Sequence, residues 1–450
     1  MSTEGTVSST TGTVSRILVV GGGYVGLYTA LRLRRKLQRG EATVTVVDPR
    51  SYMTYQPFLP EASAGSIQPR HTVVPLRQTL TDAEVVTGWV TRVEHARKVA
   101  TVQPLEGEPY ELSYDVLVMA VGSVARTLPI PGLAEWASGF KNVEEAIALR
   151  NRVLECLDIA ESATDPEIRE RNLTFVFVGG GYAGVEAVAE TEDLARYATR
   201  YLRNVSASDL RFVLVEATGR ILPEVGEDMG RWTVEQLRER GIDIRLQTRL
   251  ESTVDGHVVL SDGATMLADT VVWTAGVRPN PLLAETDLPL DERGRLVCRA
   301  DLRVEGVEDA WGAGDCTAVP DLTDPGAYCS PSAQHAVRQA KTLGDNIVAV
   351  MRGFEPADYA HRHNGSVASL GLYKGVAQVY GVKIKGFPAW WLHRTYHVSK
   401  VPTTRRKVQV LTDWTIAFLF KRDVTSLWSM HEPSREFAAN AKGEPPAGRR

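Results

Sequence analysis

The residues in this chain best suited to chemistry are three glycines, Gly21, Gly23 and Gly26, at G-x-G-x-x-G spacing, with Asp48 following 22 residues after the last of them. In such a turn the first glycine permits a tight bend, the second lets the backbone approach a pyrophosphate, and the third lets helix pack on strand. The free N–H groups and positive dipole end of a following helix favour phosphates, and an acid placed like Asp48 can hold ribose hydroxyls. The spacing returns in Gly179, Gly181 and Gly184, which start 158 residues further on, with Glu186 directly after the turn and Glu216 as the later acid. One dinucleotide site fits many roles, whereas two suggest electrons moving between two carriers. A third set, Gly312, Gly314 and Asp315, puts a carboxylate at the tip of a tight turn. There it either stabilises the turn or hydrogen-bonds a polyol.

The elements that must position these residues are legible as patterns. Residues 17–20 form a short apolar run rich in β-branched residues, as expected of a buried parallel strand. Leu27, Ala30, Leu31 and Leu33, with Arg32, Arg34, Arg35 and Lys36 between them, read as a helix closed by Gly40. Residues 44–47 form a second strand ending in Asp48. The second module repeats this order, with a strand before Gly179, a helix from about 185 to 202, and a strand over 209–215. Glu216 lies 32 residues past Gly184, more than the usual ~20, so the helix must be longer or be followed by an excursion. A 158-residue offset is a duplicated domain type, not a short solenoid repeat. Between the modules, residues 84–118 alternate as short strands and 141–160 read as an amphipathic helix. Residues 271–283 hold a buried strand ending in small residues. A helix beginning near Ser332 would turn its positive end toward whatever Asp315 faces, which suits a ring that gains negative charge on reduction.

Composition bounds the rest. With 43% hydrophobic and 24% charged residues the chain is ordinary globular stock, and a net charge of -4 gives no pull toward nucleic acid. No stretch approaches the ~18 continuous apolar residues of a membrane span. Cys156, Cys298, Cys316 and Cys329 show no metal-ligand spacing, so no metal site is expected, and a reducing cytoplasm fits. Residues 1–15 read as a disordered leader and 433–450 as a mobile tail. Near the C-terminus, Trp390, Trp391, Tyr396 and His397 precede Arg405, Arg406 and Lys407, then an apolar segment over 414–420 and Lys421 and Arg422. Cations flanking an aromatic helix suit a membrane interface. The same pattern also fits a core or dimer helix with a solvated basic edge.

Taken in order, GGGYVG…VVD, YQPFLPEASAG, YDVLVMAVGS, VGGGYAGVE, WTAGVRPN, WGAGDCTA, PSAQHAVRQ and GFPAWW resemble the type II NADH:quinone oxidoreductases over about 16–427. The resemblance implies an α/β fold with two Rossmann-like dinucleotide-binding domains and a C-terminal membrane-associating region. The expected division is a first FAD-binding part over 16–145, an NADH-binding domain over 146–290, and a second FAD-binding part over 291–365. C-terminal strands and amphipathic helices follow over 366–432. FAD is expected on the first glycine motif and NADH, as substrate, on the second. The residues expected to bind them are Gly21, Gly23, Tyr24, Val25, Gly26, Asp48, Gln56, Pro57, Val90, Gly122, Gly179, Gly181, Gly184, Glu216, Gly276, Gly314, Asp315, Ala333 and Gln334. In the family, the loop matching 55–61 and the helix matching 333–339 enclose the isoalloxazine. Glu186, Gln334 and Arg338 are the expected catalytic residues, with Glu186 on the proton path and Gln334 matching the first glutamine of an AQ-x-A-x-Q quinone motif.

The implied reaction passes hydride from NADH to flavin and two electrons to a membrane quinone, menaquinone being expected, without proton pumping. The implied site is peripheral, on the cytoplasmic face of the cell membrane. A homodimer stays open. Two other readings stand beside this one: a soluble NAD(P)H-dependent flavoprotein reductase with a ferredoxin-type or sulfide-linked acceptor, and a nucleotide-sensing interaction flavoprotein. Disulfide chemistry is disfavoured because no C-x₄-C follows the first module, and sulfide chemistry because Cys316 and Cys329, the two near the right loop, read as structural. An acid at Glu216 would repel a 2′-phosphate and so favour NADH, with Arg220 nearby opposing that. The sequence departs from the family in three places. Arg338 replaces the second motif glutamine, with Gln339 one position later, and an arginine there could bind a quinone carbonyl or narrow the pocket. Thr425 or Ser426 stands where a base is expected, and Thr191 where an apolar residue is usual.

Overall fold

The computed structural model describes residues 14–362 and 365–425. Most of the expected leader, the expected tail and Ser426 lie outside the described residues. The chain divides into two compact units, one made of residues up to 53 with 74–124 and 277–362, the other of 54–73, 125–276 and 365–425.

The first unit is built on a seven-stranded sheet. Its order is Ala310–Gly312, Val116–Met119, Ser15–Val20, Ala42–Asp48, Glu84–Glu94, Val99–Pro104 and Tyr110–Ser113. The first five strands run parallel and the last two return antiparallel. The run Ile17, Leu18, Val19 and Val20 is fully buried, as a strand covered on both faces requires. The strand begins at Ser15, one residue inside the expected leader. The helix Tyr24–Lys36 packs against the helix Ala333–Met351. Arg32 pairs with Asp345 at 2.6 Å, and Thr29 Oγ1 donates to the Ala340 carbonyl at 3.4 Å in the buried seam.

The second unit repeats the plan on a parallel five-stranded sheet. Its order is Ala137–Gly139, Thr270–Trp273, Thr174–Val178, Arg211–Val215 and Ile242–Arg245. The helix expected over 185–202 instead spans Tyr182–Ala198 and tightens to a 3₁₀ turn over Thr199–Tyr201. It starts early because the glycine turn is itself the helix N-terminus, just as Tyr24 opens the first one. The long interval before Glu216 is taken up by this 17-residue helix, against 13 residues in the first module, and by the loop leading to Arg211. The strand expected over 209–215 is correspondingly two residues shorter. Helix Val143–Ser162 begins at a capping box between Asn142 and Glu145, which stabilises the first turn by satisfying its free N–H groups. A three-stranded antiparallel sheet, Gly365–Ser369, Gly375–Val379 and Val382–Lys385, leads into helices Phe387–Lys400 and Thr404–Phe420.

In each unit the strand before the glycine turn lies between neighbours reached by connections running in opposite directions along the sheet. Such a switch point opens a crevice at the carboxyl ends of the strands, and both glycine motifs stand there.

Candidate functional site

The two turns share one geometry. Asp48 Oδ2 accepts the Gly22 N–H at 2.6 Å and Oδ1 accepts the Arg50 N–H at 2.7 Å. Glu216 Oε2 accepts the Gly180 N–H at 2.6 Å and Oε1 the Thr218 N–H at 2.7 Å. Each acid thus ties the glycine turn to the end of the next strand. Burial raises the Asp48 pKa above its ordinary value, while the two amides and the Arg50 charge pull it partly back. A Cβ on Gly26 would lie 1.8 Å from the Gly21 carbonyl oxygen, and one on Gly184 would lie 1.9 Å from that of Gly179, so each helix packs on its turn only through glycine. Gly23 and Gly181 behave oppositely, because a Cβ there would meet nothing within 4 Å. That open space at a helix N-terminus is what a pyrophosphate needs, so both turns fit a dinucleotide.

Of the other expected residues of the first unit, Gly122, Asp315 and the start of the helix Ala333–Met351 gather at the Gly314 turn, and Val90 does not. Asp315 Oδ2 accepts the Ser123 hydroxyl at 2.7 Å, and Gly122 and Gly314 both take positive φ. Ser332 caps the helix that opens with Ala333 and Gln334, accepting the His335 N–H at 3.2 Å. This cap leaves the positive end of a 19-residue helix ordered. Arg338 Nη1 donates to the Gln334 carbonyl at 3.1 Å along the same helix. Gln339 is turned away into the core, where its Oε1 accepts the Gly314 N–H at 2.8 Å. The shifted glutamine therefore supports the Gly314 turn, and Arg338 occupies the position of the motif's second glutamine. Val90 sits half-buried in its strand opposite Val102.

In the second unit, Gly276 takes positive φ after the buried strand Thr270–Trp273. Gln56 and Pro57 open a 3₁₀ turn, with Gln56 Nε2 donating to the Lys141 carbonyl at 3.1 Å. Glu186 is buried, with Oε1 accepting the Ser369 N–H at 2.8 Å and standing 3.1 Å from His393 Nε2. Around it lies a group in which Glu190, Ser369, His393 and Arg394 were not singled out by the sequence, while Trp390, His397, Arg422 and the loop over 55–61 were named for other roles. Glu61 Oε2 accepts from Arg394 Nη2 at 2.8 Å and from the Trp414 indole N–H at 2.6 Å. The Arg394 guanidinium is sandwiched between the Trp390 and Trp414 rings, at 4.2 and 4.7 Å from their centroids. Glu190 pairs with Arg422 at 2.8 Å and accepts the Ser369 hydroxyl at 3.2 Å. The Tyr55 hydroxyl donates to the His397 carbonyl at 3.0 Å, and the His397 ring meets that of His393 edge-on at 4.5 Å.

Electrostatics follow from this burial. Desolvation would lower His393, but the hydrogen bond and charge of Glu186 and the charge of Glu61 outweigh it and raise its pKa. Desolvation and the neighbouring His393 charge hold His397 well below the ordinary imidazole range. Burial raises Glu61 despite Arg394. The signals that could have exposed the cluster are two i, i+4 pairs on helix faces, Glu186 with Glu190 and His393 with His397.

The four cysteines are buried and unpaired. Burial pushes the thiols of Cys156 and Cys329 up to about 11 and that of Cys316 to about 12, and raises Cys298 well above its ordinary 9.0. None is poised as a thiolate. Among the described residues no group of side chains could hold a metal ion.

Residues 15–340 match the family described as pyridine nucleotide-disulphide oxidoreductase, and residues 363–423 match the NDH2 C-terminal domain. The chain is similar to a type II NADH:quinone oxidoreductase of Staphylococcus epidermidis, with 30% identity over 84% of this chain and 93% of that one. It is also similar to the type II NADH:quinone oxidoreductase Ndh of Mycobacterium tuberculosis, with 29% identity over 90% and 89% of the two chains. Its fold matches the structure of NDH2 from Plasmodium falciparum in complex with NADH at a TM-score of 0.85. That likeness covers 91% of this chain and 99% of the other at 17% identity.

Proposed function

The chain belongs to the pyridine nucleotide-disulphide oxidoreductases and, within them, to the type II NADH:quinone oxidoreductases, and from that premise we propose that it binds FAD, oxidises NADH and reduces a quinone without pumping protons. The observation that carries this reading is the duplicated turn, in which two carboxylates make the same pair of main-chain hydrogen bonds beside two open helix N-termini. FAD, when bound, supplies the carrier that takes a hydride from NADH and yields its two electrons one stage further on.

In this reading the first turn holds the FAD pyrophosphate, with Asp48 on a ribose, and the second turn holds NADH. Glu216 repels a 2′-phosphate. Arg220, whose guanidinium donates to the Pro223 carbonyl at 2.9 Å and keeps its charge, opposes that repulsion. Asp315 bonds the polyol of the flavin, and the positive end of the helix capped by Ser332 stabilises negative charge that develops on reduction. Gln334 and Arg338 orient the quinone, and Glu186 takes part in proton delivery. The high thiol pKa values support an acceptor other than a sulfur couple.

Attachment to the cytoplasmic face of the cell membrane belongs to the same reading, as do menaquinone as acceptor and a homodimer. Among the described residues no helix is long and apolar enough to cross a membrane. Helix Thr404–Phe420 instead leaves Phe418 65% and Phe420 77% exposed, between Arg405 and Lys407 on one side and Lys421 on the other. An apolar face flanked by bases supports lodging at an anionic surface.

The test is reduction of a panel of acceptors by purified, flavin-loaded protein. Turnover with NADH and a menaquinone analogue is expected, with much less from NADPH and none with ferredoxin. Protein that is colourless and takes up no added flavin would overturn the reading.

A further inference from the structure

In the buried cluster of the second unit the Arg394 Nε–H, Glu61 Oε1 and His393 Nδ1 have no hydrogen-bond partner, and of these only Glu61 Oε1 and His393 Nδ1 can take a proton. Both side chains are 2% exposed. An unsatisfied polar atom at that depth is costly, and each of these two can change from acceptor to donor by taking a proton. The charge count gives the reason to place one there. Three carboxylates, Glu61, Glu186 and Glu190, face two guanidiniums, Arg394 and Arg422, and the single imidazole of His393. The further acids of the same helix, Glu192 and Asp193, are balanced by Arg240, which meets both, and by Arg196, which meets Glu192 at 2.6 Å. The cluster is therefore balanced by one proton, and Glu61 and His393 feel each other's charge.

We propose that Glu61 and His393 share a single proton, beside Glu186, and that this is the proton quinone reduction must draw from water. The inference rests on the quinone-reductase reading above. NADH brings two electrons and one proton, whereas a quinol carries two electrons and two protons, so one proton comes from solvent. The Glu61 O–H or His393 N–H bond breaks as a quinol O–H forms, and a proton from water restores the pair. Burial and the pull of Glu190 favour the protonated form of Glu61, while the His393 and Arg394 charges oppose it. His397, driven neutral, adds no competing charge. The Tyr55 hydroxyl holds the His397 main chain in place.

Infrared pH titration of the flavin-loaded enzyme, with no quinone present, tests the shared proton directly. A carboxyl C=O band that grows in with a midpoint above the ordinary 4.5 of a glutamate is expected, and the band should be absent in Glu61→Gln. In His393→Gln, which leaves the Arg394 and Trp414 contacts to Glu61 intact, the midpoint should rise by about one unit or more as the imidazolium is removed. A band that survives Glu61→Gln, a midpoint at or below 4.5, or an unmoved midpoint in His393→Gln would overturn the proposal. In turnover with a menaquinone analogue, Glu61→Gln should lower kcat roughly tenfold or more and remove one limb of its pH profile, with Glu61→Asp restoring the limb. An unchanged profile would again overturn it. Because the titration needs no acceptor, its failure is separate from a failure of quinone reduction.

Discussion

At Asp48 and Glu216 a carboxylate already accepts two main-chain N–H bonds before any nucleotide is considered. Replacing Asp48 with alanine leaves those amides without their acceptor, at ~1–3 kcal/mol of local stability. The purified variant should carry well under one flavin per chain by absorbance. Glu216→Gln keeps one acceptor but removes the charge, so the kcat/KM preference for NADH over NADPH should fall roughly tenfold, the scale of one screened charge pair. His393 sets a pH dependence. The folded protein holds its proton above the ordinary 6.5 and the unfolded chain releases it, so the native state binds more protons over that interval. Its stabilisation is complete below 6.5 and is lost as pH rises through the raised native value. Tm plotted against pH should fall across that window in the wild type and flatten in His393→Gln. The glycine turns were legible in the sequence because their residues act on neighbours a few positions away. The role of Gln339 was not, because its partner Gly314 lies on a separate turn and only folding brings the two together.

Helices and strands were readable wherever one face is apolar, and their ends shifted where a turn or cap decides them, as at Tyr182 and Ser15. The second glycine helix carries Glu186, Glu190, Glu192 and Asp193 in a largely buried setting. Only Glu192 has a local partner, Arg196 one turn on, whereas the partners His393, Arg422 and Arg240 lie far along the chain. Helix Thr404–Phe420 is pinned by those distant pairings. Asp413 accepts the Gln68 N–H at 3.0 Å and pairs with His71 at 2.5 Å, Trp414 reaches Glu61, and Arg422 just beyond the helix reaches Glu190. Removing Arg422 strands a fully buried carboxylate, so Arg422→Met should cost ~3–5 kcal/mol. It should also open the C-terminal helices to limited proteolysis. Adding Glu190→Gln to that variant should recover much of the Tm, since the uncompensated charge is then gone.

For the molecule as a whole, the paired electron-carrier architecture was plain from two copies of one motif. The segment Thr54–Val73 follows the second strand of the first module in sequence, yet it packs into the second unit with the C-terminal helices. Within it Phe58 meets Trp414 edge-on at 5.8 Å, a pairing that no local pattern announces. The proposed membrane lodging is tested on the intact enzyme. Phe418→Glu combined with Leu419→Glu changes two exposed positions. Burying such side chains contributes ~1.5–3 kcal/mol each, so sedimentation with anionic liposomes should drop by at least about tenfold while Tm holds. The Trp414 indole, which donates its N–H to Glu61, has a further consequence. Its emission is expected to shift when the acid beside it gains or loses charge, so the difference between the wild type and Trp414→Phe, among nine tryptophans, would gauge that carboxyl optically without a label.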